Sequence, residues 1–539
     1  MFEKLKRSML NLSKEELMDF LGKDIVQSLN EWMTTTGILT KDKLIEMIFA
    51  VQQSDIIKNK IFRKKILEGF PPAERQISMS SFLLKFEINK DIFKTEKQDT
   101  TSFAKIDAYG KFHELLDYQY VIGQRVLNEL TSENPLRRML VQMPTGTGKT
   151  KTATHTIVKH FRSNLKKQGL IIWLAHSTEL LQQAHDTFVD VWKHVGEGSI
   201  NVYKLWGDYN LFGNEEMNGF VLCGIGKLMA LQKGNILLFN KLVEYCKLLV
   251  VDEAHKAAAD ETRKLIKSFM LQVNGNDRAL LGLTATPGRA TGLSVENDLL
   301  TSLFDGNLIG VDVEVMNRIN NSQIVASNTV VERDIIRHFQ NRGVLSKIIK
   351  EELEYPVNFT QEELDQIKVD SLGNTEKDFS NKALEIIGRN RNRNLAVVNK
   401  LKILNNENLP TIVFACSIKH AQLLSAFLSI DGIPNAVVTG DMSTYDRQNA
   451  IERFKNKGDP INILINFGVL TTGFDAPNIK CVFVARPTQS VVLYSQIIGR
   501  GLRGPQMGGN EECLLIDVKD NLKKFNEHLA YKHFNNYWE

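Results

Sequence analysis

No run in this chain approaches the roughly 18 consecutive apolar residues that carry a helix across a bilayer, so no helical membrane span is expected in its 539 residues. The first residues, Met1-Phe-Glu-Lys-Leu-Lys-Arg7, lack the apolar core of a signal peptide. Cysteine is scarce. Cys223, Cys246, Cys416, Cys481 and Cys513 lie far apart, four of them in apolar runs and none at zinc spacing. These absences point to a cytoplasmic chain with reduced core thiols and no membrane partner. Charge is nearly balanced as well: 67 basic residues against 63 acidic leave a net +4, too little to name a nucleic-acid partner by itself. No internal repeat or low-complexity tract stands out.

What is present is length, with the composition of an ordinary soluble protein, 43% hydrophobic and 24% charged. A chain of this size exceeds one hydrophobic core and divides into several domains. Residues 1–105 carry helical periodicity, with Leu17, Phe20, Leu21, Ile25 and Leu29 on one stripe and Leu44, Ile45, Ile48, Phe49 and Val51 continuing it, before Pro71-Pro72 interrupts. This arm has no nuclease-type group of carboxylates beside a lysine. Between Lys58 and Lys65 it holds five basic residues and no acidic one. A phosphate contact and a solvated helix face are both open readings there.

From 106 to 305 the texture becomes α/β. Apolar runs at 139–143, 170–174, 220–223, 248–251 and 280–283 read as buried strands, separated by helical stretches such as 178–193 and 260–272. A parallel sheet with crossover helices is expected, with its ligand at the C-terminal strand ends. A second segment, 390–539, repeats the texture with strands at 411–414, 461–465, 481–484 and 513–516, but it has no glycine loop of its own. Residues 306–389 are mixed and acidic. Ile335, Ile336, Phe339, Val344, Leu345 and Ile348 show helical spacing there, which favours a connecting subdomain over a disordered linker.

The chemistry gathers at a few places. Pro144-Thr145-Gly146-Thr147-Gly148-Lys149-Thr150 follows the first of these strands and opens a helix, the arrangement in which backbone N–H groups cradle a triphosphate. Lys149 would neutralise the outer phosphates and the Thr150 hydroxyl would ligate Mg²⁺. A plain turn is the alternative for the motif alone, since Met143 stands where the first glycine usually sits. Val250-Val251-Asp252-Glu253-Ala254-His255 sets two acids at the end of a strongly apolar strand, where an unpaired carboxylate is costly. Asp252 suits Mg²⁺, and Glu253 suits activation of the attacking water. Thr284-Ala285-Thr286-Pro287 ends the next strand, with hydroxyls placed to bond His255 or the carboxylates.

These segments resemble superfamily 2 helicases and translocases of the DEAH-box type, and the resemblance runs in order from about 112 to 520. It implies two tandem RecA-like parallel-sheet domains with a helical N-terminal domain and a connecting subdomain. Leu116-Asp117-Tyr118-Gln119 resembles the motif whose glutamine reads adenine, with Gln124 as a second candidate. Ala175-His176-Ser177-Thr178 resembles a segment that contacts the nucleic-acid backbone. Gly224-Ile225-Gly226 stands where another such motif usually carries threonine. Thr471-Thr472-Gly473-Phe474-Asp475 resembles the coupling motif, and Gln496 to Arg503 the arginine-finger motif. Arg500 and Arg503, three apart, are expected on one helical face, turned toward the nucleotide. Thr178, Thr439, Thr471 and Thr472 suit phosphate contacts, though each could instead cap a helix.

Ala485-Arg486-Pro487-Thr488-Gln489-Ser490, together with Ile336 to Ser346, resembles the motors of type I restriction enzymes and related bacterial repair and defence translocases more than RNA-remodelling DEAD-box proteins. The arm lacks a restriction nuclease, and the tail after Asp517 lacks a zinc-binding cysteine cluster. The resemblance implies ATP and Mg²⁺ as cofactors and a nucleic-acid partner, DNA before RNA. It also implies a nuclease or effector partner protein, and work in repair, restriction or antiviral defence. An ATP-switched sensor that recruits an effector and an RNA helicase are the other readings.

Overall fold

The computed structural model describes residues 2–520, less 23–24, 28, 30–38, 89–101, 111–112, 134–136, 212–215, 272–277, 286–294, 312–331, 357–358, 373–377, 457, 472 and 475. The first lobe is built on an eight-stranded sheet of β1 (Phe103–Asp107), β2 (Arg137–Gln142), β3 (Leu170–Ala175), β4 (Ser199–Leu205), β5 (Gly219–Gly224), β6 (Cys246–Asp252), β7 (Ala279–Thr284) and β8 (Leu308–Ile309). Its spatial order is β1-β4-β5-β3-β6-β7-β2-β8. Only β1 runs antiparallel to its neighbour. The inner strands β3 and β7 are buried at every position. Helices on both faces demand this, and it is why such strands read as unbroken apolar runs.

The second lobe holds β9 (Lys347–Leu353), β10 (Thr411–Phe414), β11 (Asn435–Thr439), β12 (Ile463–Phe467), β13 (Cys481–Val484) and β14 (Glu512–Val518), all parallel, in the order β11-β12-β10-β13-β14-β9. The strand β9 comes from the 306–389 stretch. The helical spacing expected through Val344, Leu345 and Ile348 is therefore only partly realised. The helix Glu332–Asn341 ends at Gly343, whose φ of +68° suits a glycine, and the Val344 N–H turns back to the Phe339 carbonyl at 2.9 Å. The chain then extends into the edge strand β9, with Ile348 on it.

The N-terminal arm forms helices including Lys14–Leu21, Lys41–Gln52 and Lys60–Glu68. Its apolar faces join one continuous core with the second lobe, meeting Leu424, Phe427 and Ile463. The arm thus packs on the second sheet. All five cysteines are buried and unbonded. No helix among the described residues is long and apolar enough to cross a membrane.

Candidate active site

The glycine loop after β2 is held from below. Gly146 and Gly148 adopt φ of +88° and +79°, which a side chain would strain. The Thr147 hydroxyl donates to the Pro144 carbonyl at 2.7 Å. The Thr147 carbonyl accepts from the Tyr118 hydroxyl at 2.8 Å and from Gln119 Nε2 at 3.0 Å. Burial pushes the Tyr118 phenol above its ordinary range, so it stays a donor. Lys149 and Thr150 then open the helix Lys149–Ser163, whose first N–H groups and positive dipole end face the cleft.

Gln119 is only 1% exposed, and its Oε1 accepts from the Leu116 N–H at 3.0 Å. In this arrangement both ends of its amide are engaged by protein, and it braces the loop. Asp117 beside it pairs with Arg342 through two bonds of 2.7 and 2.8 Å, and Phe339 stands 4.7 Å from the Tyr118 ring, centroid to centroid. No local pattern marks this brace, since Arg342 comes from the connector, 225 positions after Asp117.

Asp252 at the end of β6 is 2% exposed and Glu253 8%. Glu253 takes a left-handed φ of +50°, and its N–H donates to Asp252 Oδ1 at 2.9 Å. Strain of this kind persists only where the surroundings fix it. Burial and the neighbouring Glu253 charge raise the Asp252 carboxyl, and Lys149 only partly opposes them. Burial also works to raise Glu253. Lys149, His255, Lys256 and Arg500 together outweigh it and hold that carboxyl below its usual range. His255 Nδ1 lies 3.4 Å from Glu253 Oε2 and 3.2 Å from Thr284 Oγ1, the contact expected for that threonine. Thr286 lies outside the described residues.

The second lobe closes on this face. A Cβ on Gly473, at φ +68°, would come within 2.8 Å of Glu179 Cβ and of the Leu180 nitrogen; one on Gly499 would sit 2.3 Å from Thr145 Cγ2. Arg447 pairs with Glu179 across the lobes at 2.7 Å. Pro144, Thr145, Gly146, Gly148, Lys149, Thr150, Asp252 and Glu253 line one cleft with Gly473, Arg500 and Arg503 from the opposite lobe. Its volume of about 480 Å³ falls in the range of small-molecule sites. His113, Lys151 and Asp190 line its mouth; no motif marked them.

One expectation is corrected here. Arg500 and Arg503 do not share a helical face: the helix Val491–Ile498 stops before them. Gly499 and Gly501 press so closely on Thr145 and Cys513 that a turn replaces another helical turn. Arg500 Nη1 donates to the Phe474 carbonyl at 2.6 Å, and Arg503 bridges to Leu345. Both still reach the cleft. Gln496 lies half-buried behind them, its Nε2 without a partner among the described residues.

The donor set fits a hard cation: one hydroxyl and one buried carboxylate, Thr150 and Asp252, beside a phosphate cradle is what Mg²⁺ takes, with phosphate and water filling the rest.

Of the residues expected at a nucleic-acid groove, His176 and Thr178 are exposed at the end of β3 and the start of the helix Thr178–Val195, while Ser177 caps that helix through Leu180 N–H. Gly224 ends β5, and Thr471 lies half-buried after β12. Thr439 caps no helix. It is 2% exposed and its hydroxyl donates to Asp441 at 2.5 Å, while Ser443 caps the helix Thr444–Lys455. Thr472 and Asp475 lie outside the described residues.

Residues 112–289 match the family described as type III restriction enzyme, res subunit, and residues 393–504 match the helicase conserved C-terminal domain. The chain is similar to the "Putative mitochondrial ATP-dependent helicase irc3" of Schizosaccharomyces pombe, 27% identical over 394 residues, which are 73% of this chain and 55% of that protein. It is also similar to the "Putative ATP-dependent helicase IRC3" of Saccharomyces cerevisiae, 24% identical over 413 residues, 75% of this chain and 51% of the relative. The chain spans about half the length of these curated relatives. A crystal structure of the DUF1998 helicase MrfA bound to DNA superposes with a TM-score of 0.53 at 15% identity, covering 86% of this chain and 59% of that one, a shared fold.

Proposed function

The chain belongs to the superfamily 2 helicases, and from that premise we propose that it is a DEAH-type, ATP-dependent DNA helicase or translocase. The observation that carries this is the single cleft in which Lys149, Thr150, Asp252 and Glu253 of one lobe meet Arg500 and Arg503 of the other. Lys149 and the loop N–H groups hold the phosphates of ATP. Thr150 and Asp252 would hold Mg²⁺, which would supply positive charge to offset that of the phosphates. Glu253, kept ionised, orients the attacking water and accepts its proton, while His255 fixes Glu253 against Thr284. Arg500 and Arg503 stabilise the charge on the transferring phosphoryl group. Hydrolysis therefore needs both lobes closed, and each turnover opens and recloses the groove. Gln119 positions the loop from beneath and Gln496 backs the arginine turn.

In this reading His176, Ser177, Thr178, Gly224, Thr439 and Thr471 serve the strand, and Gly473, which lines the cleft, links the two. Contacts of this kind go to phosphates and carry little sequence information. The match to a restriction-enzyme subunit supports DNA over RNA, and repair, restriction or defence as the setting.

Lys149→Ala should abolish ATP turnover in a steady-state phosphate-release assay; turnover at the wild-type rate would remove the site assignment. Turnover by the wild-type chain should rise with single-stranded or duplex DNA at low salt, and more than with RNA of equal length. Stimulation by RNA alone would move the substrate to RNA. An ATP-switched recruiting module would bind a partner with ATP yet displace no strand.

A further inference from the structure

We propose that the exposed basic face of the helix Lys60–Glu68 extends the nucleic-acid track of the second lobe, binding the phosphate backbone beyond Thr439. The inference rests on the helicase reading above. It starts from where the arm is fastened. The helix Lys41–Gln52 packs on the helix Ile418–Ile430, and Phe49 and Ile48 lie in the core the arm shares with the second lobe. At the end of that helix Gln53 Nε2 donates to the Val437 carbonyl at 3.0 Å, and the Ser54 hydroxyl donates to Asp446 Oδ2 at 2.5 Å. Val437 lies two positions before Thr439 on β11, and Asp446 sits in the first turn of the helix that follows. The arm is therefore clamped on both sides of the loop that carries Thr439 and Gly440.

The next structured elements are a short turn of helix, Asp55–Lys58, and then Lys60–Glu68, started by Asn59, whose Oδ1 accepts from the N–H groups of Ile61 at 2.9 Å and Phe62 at 3.1 Å. Phe62, Ile66 and Leu67 turn inward. Lys60 and Lys64, both exposed and one helical turn apart, stand on the side away from Phe62 and Ile66. Their basic neighbour Lys65 is paired with Glu16. Lys60 and Lys64 have no anionic partner among the described residues. No acid lies between Lys58 and Lys65, and Glu68, one turn beyond Lys64, is turned to Lys65 at 3.5 Å. Because the arm shares the core of the second lobe, these two cations travel with it. They would keep hold of the strand while the first lobe releases and regrips.

The test is the full chain carrying Lys60→Ala and Lys64→Ala, both at exposed helix positions where alanine is favourable. Binding of a labelled single-stranded DNA is followed by fluorescence anisotropy across a salt series, with thermal melting and DNA-free ATP turnover as controls. Affinity at low salt should fall on the order of tenfold, and the slope of log affinity against log salt should become shallower by about 1.4, two contacts at about 0.7 each. Melting and DNA-free turnover should stay at wild-type values. Unchanged affinity and slope beside a wild type that binds DNA would overturn this inference alone. A wild type that binds no nucleic acid would overturn the helicase reading and this inference with it.

Discussion

His160 lies on the helix Lys149–Ser163 at 4% exposure, and burial, aided by the Arg137 charge, pushes its imidazole down to about 4. The folded state therefore disfavours the protonated ring relative to an unfolded chain, where it titrates near about 6.5. The stability this neutral ring contributes is complete above the unfolded value and is lost as pH falls through the interval toward the folded one. Linkage over that interval amounts to about 3 kcal/mol. Urea unfolding of His160→Gln between pH 6.5 and 4 should show a flatter pH dependence than the wild type, and an unchanged dependence would contradict the account. At this scale the sequence was most readable where chemistry sits in contiguous motifs. The glycine loop, Asp252 and Glu253, and Arg500 with Arg503 could all be picked out by type and spacing, and all line one cleft. Residues that work through distant partners were invisible. Glu179 finds Arg447 at a separation of 268 positions, and Asp117 finds Arg342 at 225; nothing local marks either pair.

At the scale of elements, the approach of the coupling segment to the first lobe depends on the missing side chain at Gly473. An alanine there would carry both a strained φ of +68° and a Cβ 2.8 Å from the Leu180 nitrogen. Gly473→Ala should therefore leave ATP binding near wild type while slowing hydrolysis at least about tenfold, as expected when misplacement of groups spoils alignment. Equilibrium binding of a fluorescent ATP analogue beside single-turnover hydrolysis separates the two effects, and unchanged hydrolysis would show that closure tolerates the methyl group. The same scale shows why the strand reading was uneven. The inner strands β2, β3, β5, β6 and β7 of the first sheet and β10, β12, β13 and β14 of the second were legible as apolar runs because helices cover both their faces, whereas the inner strand β4 keeps only part of its length buried and leaves no such run. The edge strands β1 and β9 alternate or expose most positions, and Lys347-Ile-Ile-Lys-Glu-Glu-Leu353 looks like a charged, amphipathic stretch until β14 pairs with it. The two-residue β8 is too short to leave a pattern. The expected helical face for Arg500 and Arg503 failed for a related reason: close packing at Gly499 and Gly501 is a tertiary constraint that periodicity does not carry.

For the whole molecule, the consequence is a division of labour between two lobes joined by a connector that touches the nucleotide loop. Leu345 lies where a Cβ on Gly146 would come within 3.3 Å of it, so the connector packs directly beneath the phosphate cradle. The arm adds its core to the second lobe, so closing the cleft moves arm, β9 and arginine turn as one body against the first sheet. The central claim is that hydrolysis is completed from across the cleft, by Arg500 acting on a phosphate held by Lys149. Single-turnover ATP hydrolysis by Arg500→Ala, with ATP affinity measured in parallel, tests it most directly. The account predicts near-normal ATP binding with a hydrolysis rate reduced by about 10³ to 10⁵. Hydrolysis at the wild-type rate would mean that the second lobe takes no part in the chemistry, and would contradict it.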